Sequence, residues 1–130
     1  MAMSLRRAAL ALGLLAAAWP AAQAQSGDVA RGRGLFESRC GGCHSLDDDR
    51  VGPALGTVAG RVAGKKADFA YSAALAAATH VWTPEKLQAW LTDPETLVPG
   101  QAMGYRLSEA ADRRDVVAFL QSLATGQPAR

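Results

Sequence analysis

Sulfur and imidazole are scarce in this chain: its 130 residues include two cysteines, two histidines and three methionines. So few cysteines exclude a disulfide-stapled scaffold. A structural zinc site takes four Cys or His ligands and would have to enlist every cysteine and histidine present. Useful β-alternation, internal repeats and low-complexity tracts are also missing after residue 24, so the Ala-rich, Gly-punctuated sequence is expected to form short helices joined by loops. Aromatic residues make up 6% and there is no basic run, which leaves nothing to support nucleic-acid binding. The apolar stretch from Ala8 to Trp19 spans about 12 residues, well short of the roughly 20 that cross a bilayer, so no stable membrane insertion is expected.

That stretch follows Arg6 and Arg7 and leads to Ala22-Gln23-Ala24, a small-x-small site that a signal peptidase accepts. Residues 1–24 therefore read as a cleaved signal peptide, and residues 25–130 as one domain able to build a single modest core. Arg6 and Arg7 are the signal's only charged residues. Their removal turns the formal charge of +2 into a balance of 12 basic and 12 acidic residues. Any charged partner must then be met by a local patch rather than by overall charge.

Both cysteines lie in Cys40-Gly41-Gly42-Cys43-His44. A disulfide here closes a two-residue loop and gains little. A thioredoxin-like pair needs a preceding strand and an α/β sheet, and neither is visible. Zinc would need the distant His80 as its fourth ligand. Haem attachment accounts for all three residues at once: on a helical turn the two sulfurs reach the two vinyl groups of one porphyrin, and the next imidazole can turn onto the iron. Gly41 and Gly42 leave the macrocycle unobstructed. Covalent attachment outside the cytoplasm agrees with the export signal.

A six-coordinate iron needs a ligand on its other face, and two residues compete for that place. Met1 and Met3 leave with the signal, so Met103 is the remaining methionine, in the Pro-Gly loop Val98 to Tyr105 that lets a side chain point inward. His80, followed by Val81 and Trp82, has the look of a surface or edge histidine. Ligand choice bears on function: a thioether raises the reduction potential, and a site filled on both faces leaves no position for oxygen or peroxide.

With these residues in place, the chain resembles the class I cytochromes c of the mitochondrial and bacterial c2 type, from Gly27 to about Leu123. The run from Gly27 to Gly32 with Leu35 and Phe36 is similar to the family's N-terminal helix, whose glycine permits close crossing with the C-terminal helix. Val51-Gly52-Pro53-Ala54-Leu55 resembles the loop whose proline carbonyl accepts a hydrogen bond from the ligating histidine. Gly60-Arg61, Phe69-Ala70-Tyr71-Ser72 and Trp82 resemble the segments that bring Arg, Tyr and Trp donors to a buried haem propionate. Trp90 stands where the family usually has a tyrosine beside the axial methionine. Thr83-Pro84-Glu85 opens a helix with Leu87, Trp90 and Leu91 on its buried stripe, Asp93-Pro94 ends it, and a closing helix runs from a Ser108 cap through Leu123.

The resemblance implies an all-α cytochrome c fold, with terminal helices crossing and short helices and loops wrapped around one covalent haem c. It implies attachment at Cys40 and Cys43, axial ligands His44 and Met103, and Pro53, Arg61, Tyr71 and Trp82 around the cofactor. The expected function is that of a monomeric, periplasmic, one-electron carrier of a respiratory or photosynthetic chain, not an enzyme, meeting donor and acceptor redox proteins. The alternative is a haem-bearing subunit of a periplasmic oxidoreductase, such as a sulfite or alcohol dehydrogenase. Glu95-Thr96-Leu97 and Ala102 stand where the family's docking lysines would be, so the docking patch is expected to be mostly apolar and uncharged. Asp47-Asp48-Asp49-Arg50 reads as a solvated loop rather than a cation site.

Overall fold

Helix formation starts where Asp28, in extended conformation, accepts a hydrogen bond from the Arg31 backbone N–H at 2.9 Å. The computed structural model describes residues 26–126; the signal segment expected over 1–24 lies outside them. Helix α1 (Val29–Leu35) runs directly into a π-helical turn, Phe36–Cys40, which delivers Cys40 at its end. Four further helices follow: α2 (Ala73–Ala76), α3 (Pro84–Thr92), α4 (Pro94–Leu97) and α5 (Ala110–Thr125). Among the described residues the one β feature is an isolated bridge between Val62 and Val81, and no helix is long and apolar enough to cross a membrane.

The sequence of α1 allows an unusually close crossing with α5. A Cβ at Gly32 would lie 1.9 Å from the Asp115 carbonyl oxygen and 2.9 Å from Phe119 Cβ, so only hydrogen fits between the two backbones. One turn on, Phe36 packs on Phe119 with ring centroids 5.7 Å apart. Arg31 reaches across to both Asp112 and Asp115, and the Asp28 N–H donates to Asp115 Oδ1 at 2.8 Å. Burial pushes the Asp115 carboxyl up, but the Asp28 N–H and the Arg31 guanidinium outweigh it and hold the group below the usual carboxylate range.

Helix α3 uses the Thr83 cap on the Lys86 N–H, with Pro84 in the first turn, and buries Leu87, Trp90 and Leu91. The stop at Asp93-Pro94 is found as expected, and one boundary, the start of α5, differs. Asp93 ends α3 and then caps a further helical turn, α4, accepting from the Glu95 N–H at 3.2 Å, because Asp-Pro-Glu is as good a start as a stop. At α5 the extended residue is Glu109, so Ser108 falls one position too early to cap. The Ser108 and Leu107 carbonyls instead accept from Arg113 Nη1 at 2.6 and 2.7 Å. The left-handed Gly126 (φ 67°) closes α5.

Candidate functional site

One cavity of about 290 Å³ opens between these elements, and its walls are mainly apolar. Cys40, Cys43, His44, Pro53, Arg61, Tyr71, Trp82 and Met103 all line it, whereas His80 is not among the lining residues. The structure therefore brings together every residue singled out for the site and leaves the rival histidine outside. His80 packs edge-on against Trp82 at 4.6 Å, and its buried Nε2 has no partner.

The cysteine-histidine turn follows from the π-helical turn before it. The Cys40 carbonyl accepts from both Cys43 N (3.1 Å) and His44 N (2.9 Å), which winds Gly41 and Gly42 outward and sets both sulfurs and the imidazole toward the cavity. Both thiols are free. Burial, with a smaller contribution from Cys43, pushes the Cys40 thiol up to about 11, away from the thiolate that disulfide exchange requires. No group of three or more His, Cys, Asp or Glu side chains that could hold a metal ion forms among the described residues, and the sheet a thioredoxin-like pair would need is not present among them either.

His44 Nδ1 lies 2.8 Å from the Pro53 carbonyl oxygen. A carbonyl only accepts, so Nδ1 carries the proton and the Nε2 lone pair is left free. Gly52 makes this arrangement possible: a Cβ there would lie 2.1 Å from His44 Cε1. The loop itself is laced to the motif by Gly52 N to Cys43 O and by Leu55 N to Ser45 O.

Arg61 and Trp82 converge through backbone pairing: Gly60 N donates to Trp82 O and Trp82 N to Arg61 O, both at 2.9 Å. Tyr71 enters from the segment before α2, stacked edge-on with Phe69 at 4.8 Å. Trp82 also packs against Trp90 at 5.3 Å, and both are buried. Met103 comes from the loop after α4, where Gly100 (φ 89°) and Gly104 (φ 63°) take the left-handed turns that a side chain would strain.

Several contributors had looked like surface charges. Glu95 clasps the Met103 loop, accepting from Gly100 N at 2.8 Å and from Gln101 Nε2 at 3.2 Å, while Gln101 Oε1 accepts from Gly104 N at 2.9 Å. Arg50 Nη1 donates to the Gly41 carbonyl at 2.6 Å, and Asp49 accepts from the Ala54 N–H at 2.8 Å. The acidic loop at 47–50 is thus only half a solvated loop: its last two residues hold the turn and the proline loop on either side of His44. The available signal was their position, directly between the histidine motif and Gly52-Pro53.

The cavity fits a haem. Its lining is mainly aliphatic and aromatic and carries two thiols, an imidazole lone pair, a thioether, and Arg, Tyr and Trp donors able to meet carboxylates. Comparison with known proteins agrees. Residues 29–124 match the family described as Cytochrome c. The chain is 41% identical over 100 residues to cytochrome c of Euglena viridis, covering 75% of this chain and 98% of that one. It is 36% identical over 110 residues to cytochrome c2 of Agrobacterium tumefaciens, covering 79% and 98%. The solved structure of cytochrome cH from Methylobacterium extorquens superposes with a TM-score of 0.70 at 37% identity, covering 74% of this chain and 99% of that one. The chain belongs to the cytochrome c family, as a class I c-type cytochrome that binds covalently attached haem c and carries electrons.

Proposed function

We propose that this protein is an exported, monomeric shuttle of single electrons between periplasmic or membrane-bound redox proteins of a respiratory or photosynthetic chain, and not an enzyme. In this reading residues 1–24 are removed on export and residues 25–130 form the working domain. The observation that carries the proposal is the pairing of His44 and Met103 on the lining of one mainly apolar cavity, with buried Phe36, Trp82, Trp90 and Val116 among its other walls. The haem, when bound, supplies an iron that exchanges one electron. Cys40 and Cys43 would hold it covalently, His44 Nε2 and Met103 Sδ would ligate its iron, and Arg61, Tyr71 and Trp82 would supply hydrogen-bond donors to its carboxylates. An iron ligated by both side chains would leave oxygen and peroxide no place to bind.

The mouth of the cavity supports a particular kind of encounter. Val51 is 79% exposed and Tyr105 36%, with Ala102 and Cys43 exposed beside them. Arg39, which is exposed, and the half-buried Arg61 are the arginines on the lining. Such a patch favours docking by small, mostly apolar contact, with weak dependence on salt.

Optical spectra of the purified protein in both redox states test the ligation. Haem retained through acid-acetone extraction and a weak far-red band in the ferric state are expected. Loss of the haem, or absence of that band, would reject the Cys/His/Met assignment. Replacing Met103 by Ala should lower the potential and open the iron to carbon monoxide; an unchanged protein would point to a sensor or peroxidase instead. A stable complex with a cofactor-bearing partner on size exclusion of the native protein would argue for a dedicated subunit.

A further inference from the structure

The peptide group joining Pro53 to Ala54 is hydrogen-bonded at both ends. Its carbonyl oxygen faces His44 Nδ1 at 2.8 Å, and its N–H donates to Asp49 Oδ1 at 2.8 Å. The other carboxylate oxygen, Oδ2, takes Lys66 Nζ, also at 2.8 Å. A single amide therefore stands between an anion and the imidazole. Asp49 is ionised at neutral pH, because Lys66 first and the Ala54 N–H second hold its carboxyl below the usual range.

We propose that Asp49 is a positioning residue that sets the haem's reduction potential through the Pro53–Ala54 peptide, with Lys66 as its counterweight. The inference rests on the reading of His44 as an axial ligand. An anion accepting from the N–H end of an amide pushes electron density onto the carbonyl oxygen, since hydrogen bonds in a chain polarise one another. A more negative oxygen draws harder on the Nδ1 proton and makes the imidazole a stronger donor at Nε2. A stronger donor favours ferric over ferrous iron and lowers the potential. Lys66 draws charge from the same carboxylate and opposes the effect. Gly52 packs against the ring so tightly that no Cβ fits. The ring has little room to move, and the change in charge is felt as basicity rather than as displacement.

Asp48 supplies the comparison. It is an exposed neighbour of like charge whose backbone N–H and carbonyl are both tied to Ser45 Oγ, and it is Asp49 that accepts from this peptide. The holoprotein and its Asp49→Asn, Asp48→Asn and Lys66→Met variants would be titrated spectroelectrochemically at low salt and at about 1 M salt, where the screening length falls to about 3 Å. The His44 Nδ1 proton would be followed by NMR in the ferrous state.

Asp49→Asn preserves an acceptor for Ala54 but removes the charge. It should raise the reduced-to-oxidised ratio at fixed potential by about threefold to tenfold, a tenfold change being 59 mV for one electron. That shift should survive high salt, and the Nδ1 proton should move upfield. Lys66→Met should shift both readouts the other way. Asp48→Asn should give a smaller change that salt abolishes. The proposal is overturned if Asp49→Asn and Asp48→Asn behave alike at high salt, or if the Nδ1 proton does not respond. Should Asp49→Asn fail to hold haem, Lys66→Met alone decides, and an unmoved potential in that variant rejects the relay. Failure of the ligation itself would appear in the wild-type spectrum before any variant is compared.

Discussion

Alanine at Gly32 and alanine at Gly34 are the same substitution two residues apart in one helix, and they should act in opposite directions. At Gly34 an added Cβ meets nothing within 4 Å. Alanine there should stabilise the fold by about 0.5–1 kcal/mol, the backbone entropy that a helical glycine costs. Gly32 carries the same propensity gain but meets the Asp115 carbonyl oxygen at 1.9 Å, so α5 must retreat by about 1.5 Å to reach ordinary contact at 3.4 Å. A gap of 0.5–1 Å already forfeits a quarter to a half of a dispersion contact. The retreat would loosen the Phe36–Phe119 pair, worth about 0.5–1.5 kcal/mol beyond its area, together with the Arg31 clamp. Overpacking of this kind costs about 1–3 kcal/mol. Once the lost contacts are added, the clash exceeds the propensity gain, and Gly32→Ala should be destabilised by about 2 kcal/mol or more, or about 10 °C in Tm. Guanidinium unfolding of the oxidised holoprotein, followed by far-UV circular dichroism with slopes compared between variants, measures both. The reasoning fails if Gly32→Ala is as stable as the parent, or if Gly34→Ala falls as far.

Other sites give independent checks. Gly52→Ala places a Cβ 2.1 Å from His44 Cε1; the imidazole must turn off its axis, and the far-red band and the low-spin ferric spectrum should be lost while α1 and α5 remain. Glu95→Ala frees the Met103 loop from two hydrogen bonds and should raise the apparent affinity for added imidazole about fivefold to tenfold, because the methionine-off population grows by that factor at about 1 kcal/mol. The depressed carboxyl of Asp115 contributes stability above its unfolded pKa of about 4 and loses it as pH falls through the lower folded value. Asp115→Asn should therefore flatten the acid limb of the stability profile, seen as a smaller Tm difference between pH 5 and pH 2. Electron-transfer rates with a physiological partner should change less than about threefold between 20 and 300 mM salt; a steep fall would show that a basic patch, and not the Val51, Ala102 and Tyr105 surface, governs docking.

Legibility in the sequence followed the range of the interaction. The Cys-Gly-Gly-Cys-His turn, the Thr83-Pro84-Glu85 start and the Pro-Gly loop at Met103 are local devices whose chemistry is complete within a few residues. Each is found where the sequence places it. Gly32 was legible as a close approach through the resemblance, in whose N-terminal helix a glycine permits the crossing. The roles of Asp49 and Glu95 were not, since a carboxylate in a loop looks the same whether it meets water or a backbone N–H. Only the folded path of the chain sets Asp49 against Ala54 and Glu95 against Gly100. The start of α5 was missed for a related reason: Ser108 has the right chemistry, but the backbone turns helical one residue later, and the Ser108 carbonyl is taken by Arg113.

These hidden contacts have a common effect on the proposed chemistry. On one side of the cavity, Asp49 and Arg50 fasten the proline loop and the cysteine turn around His44. On the other, Glu95 and Gln101 fasten the loop that presents Met103. Both ligands are thus held from outside the cavity by bonds to backbone groups, and none of those bonds requires a change in the charge of the iron. On the proposed ligation, a ligand pair held in this way would keep one geometry in the ferric and ferrous states, and little nuclear motion would accompany the electron. The same fastening opposes release of Met103, the event that would admit a small molecule to the iron. On that reading fast transfer and closure against catalysis would share one structural origin, and loosening either loop should slow the first while permitting the second.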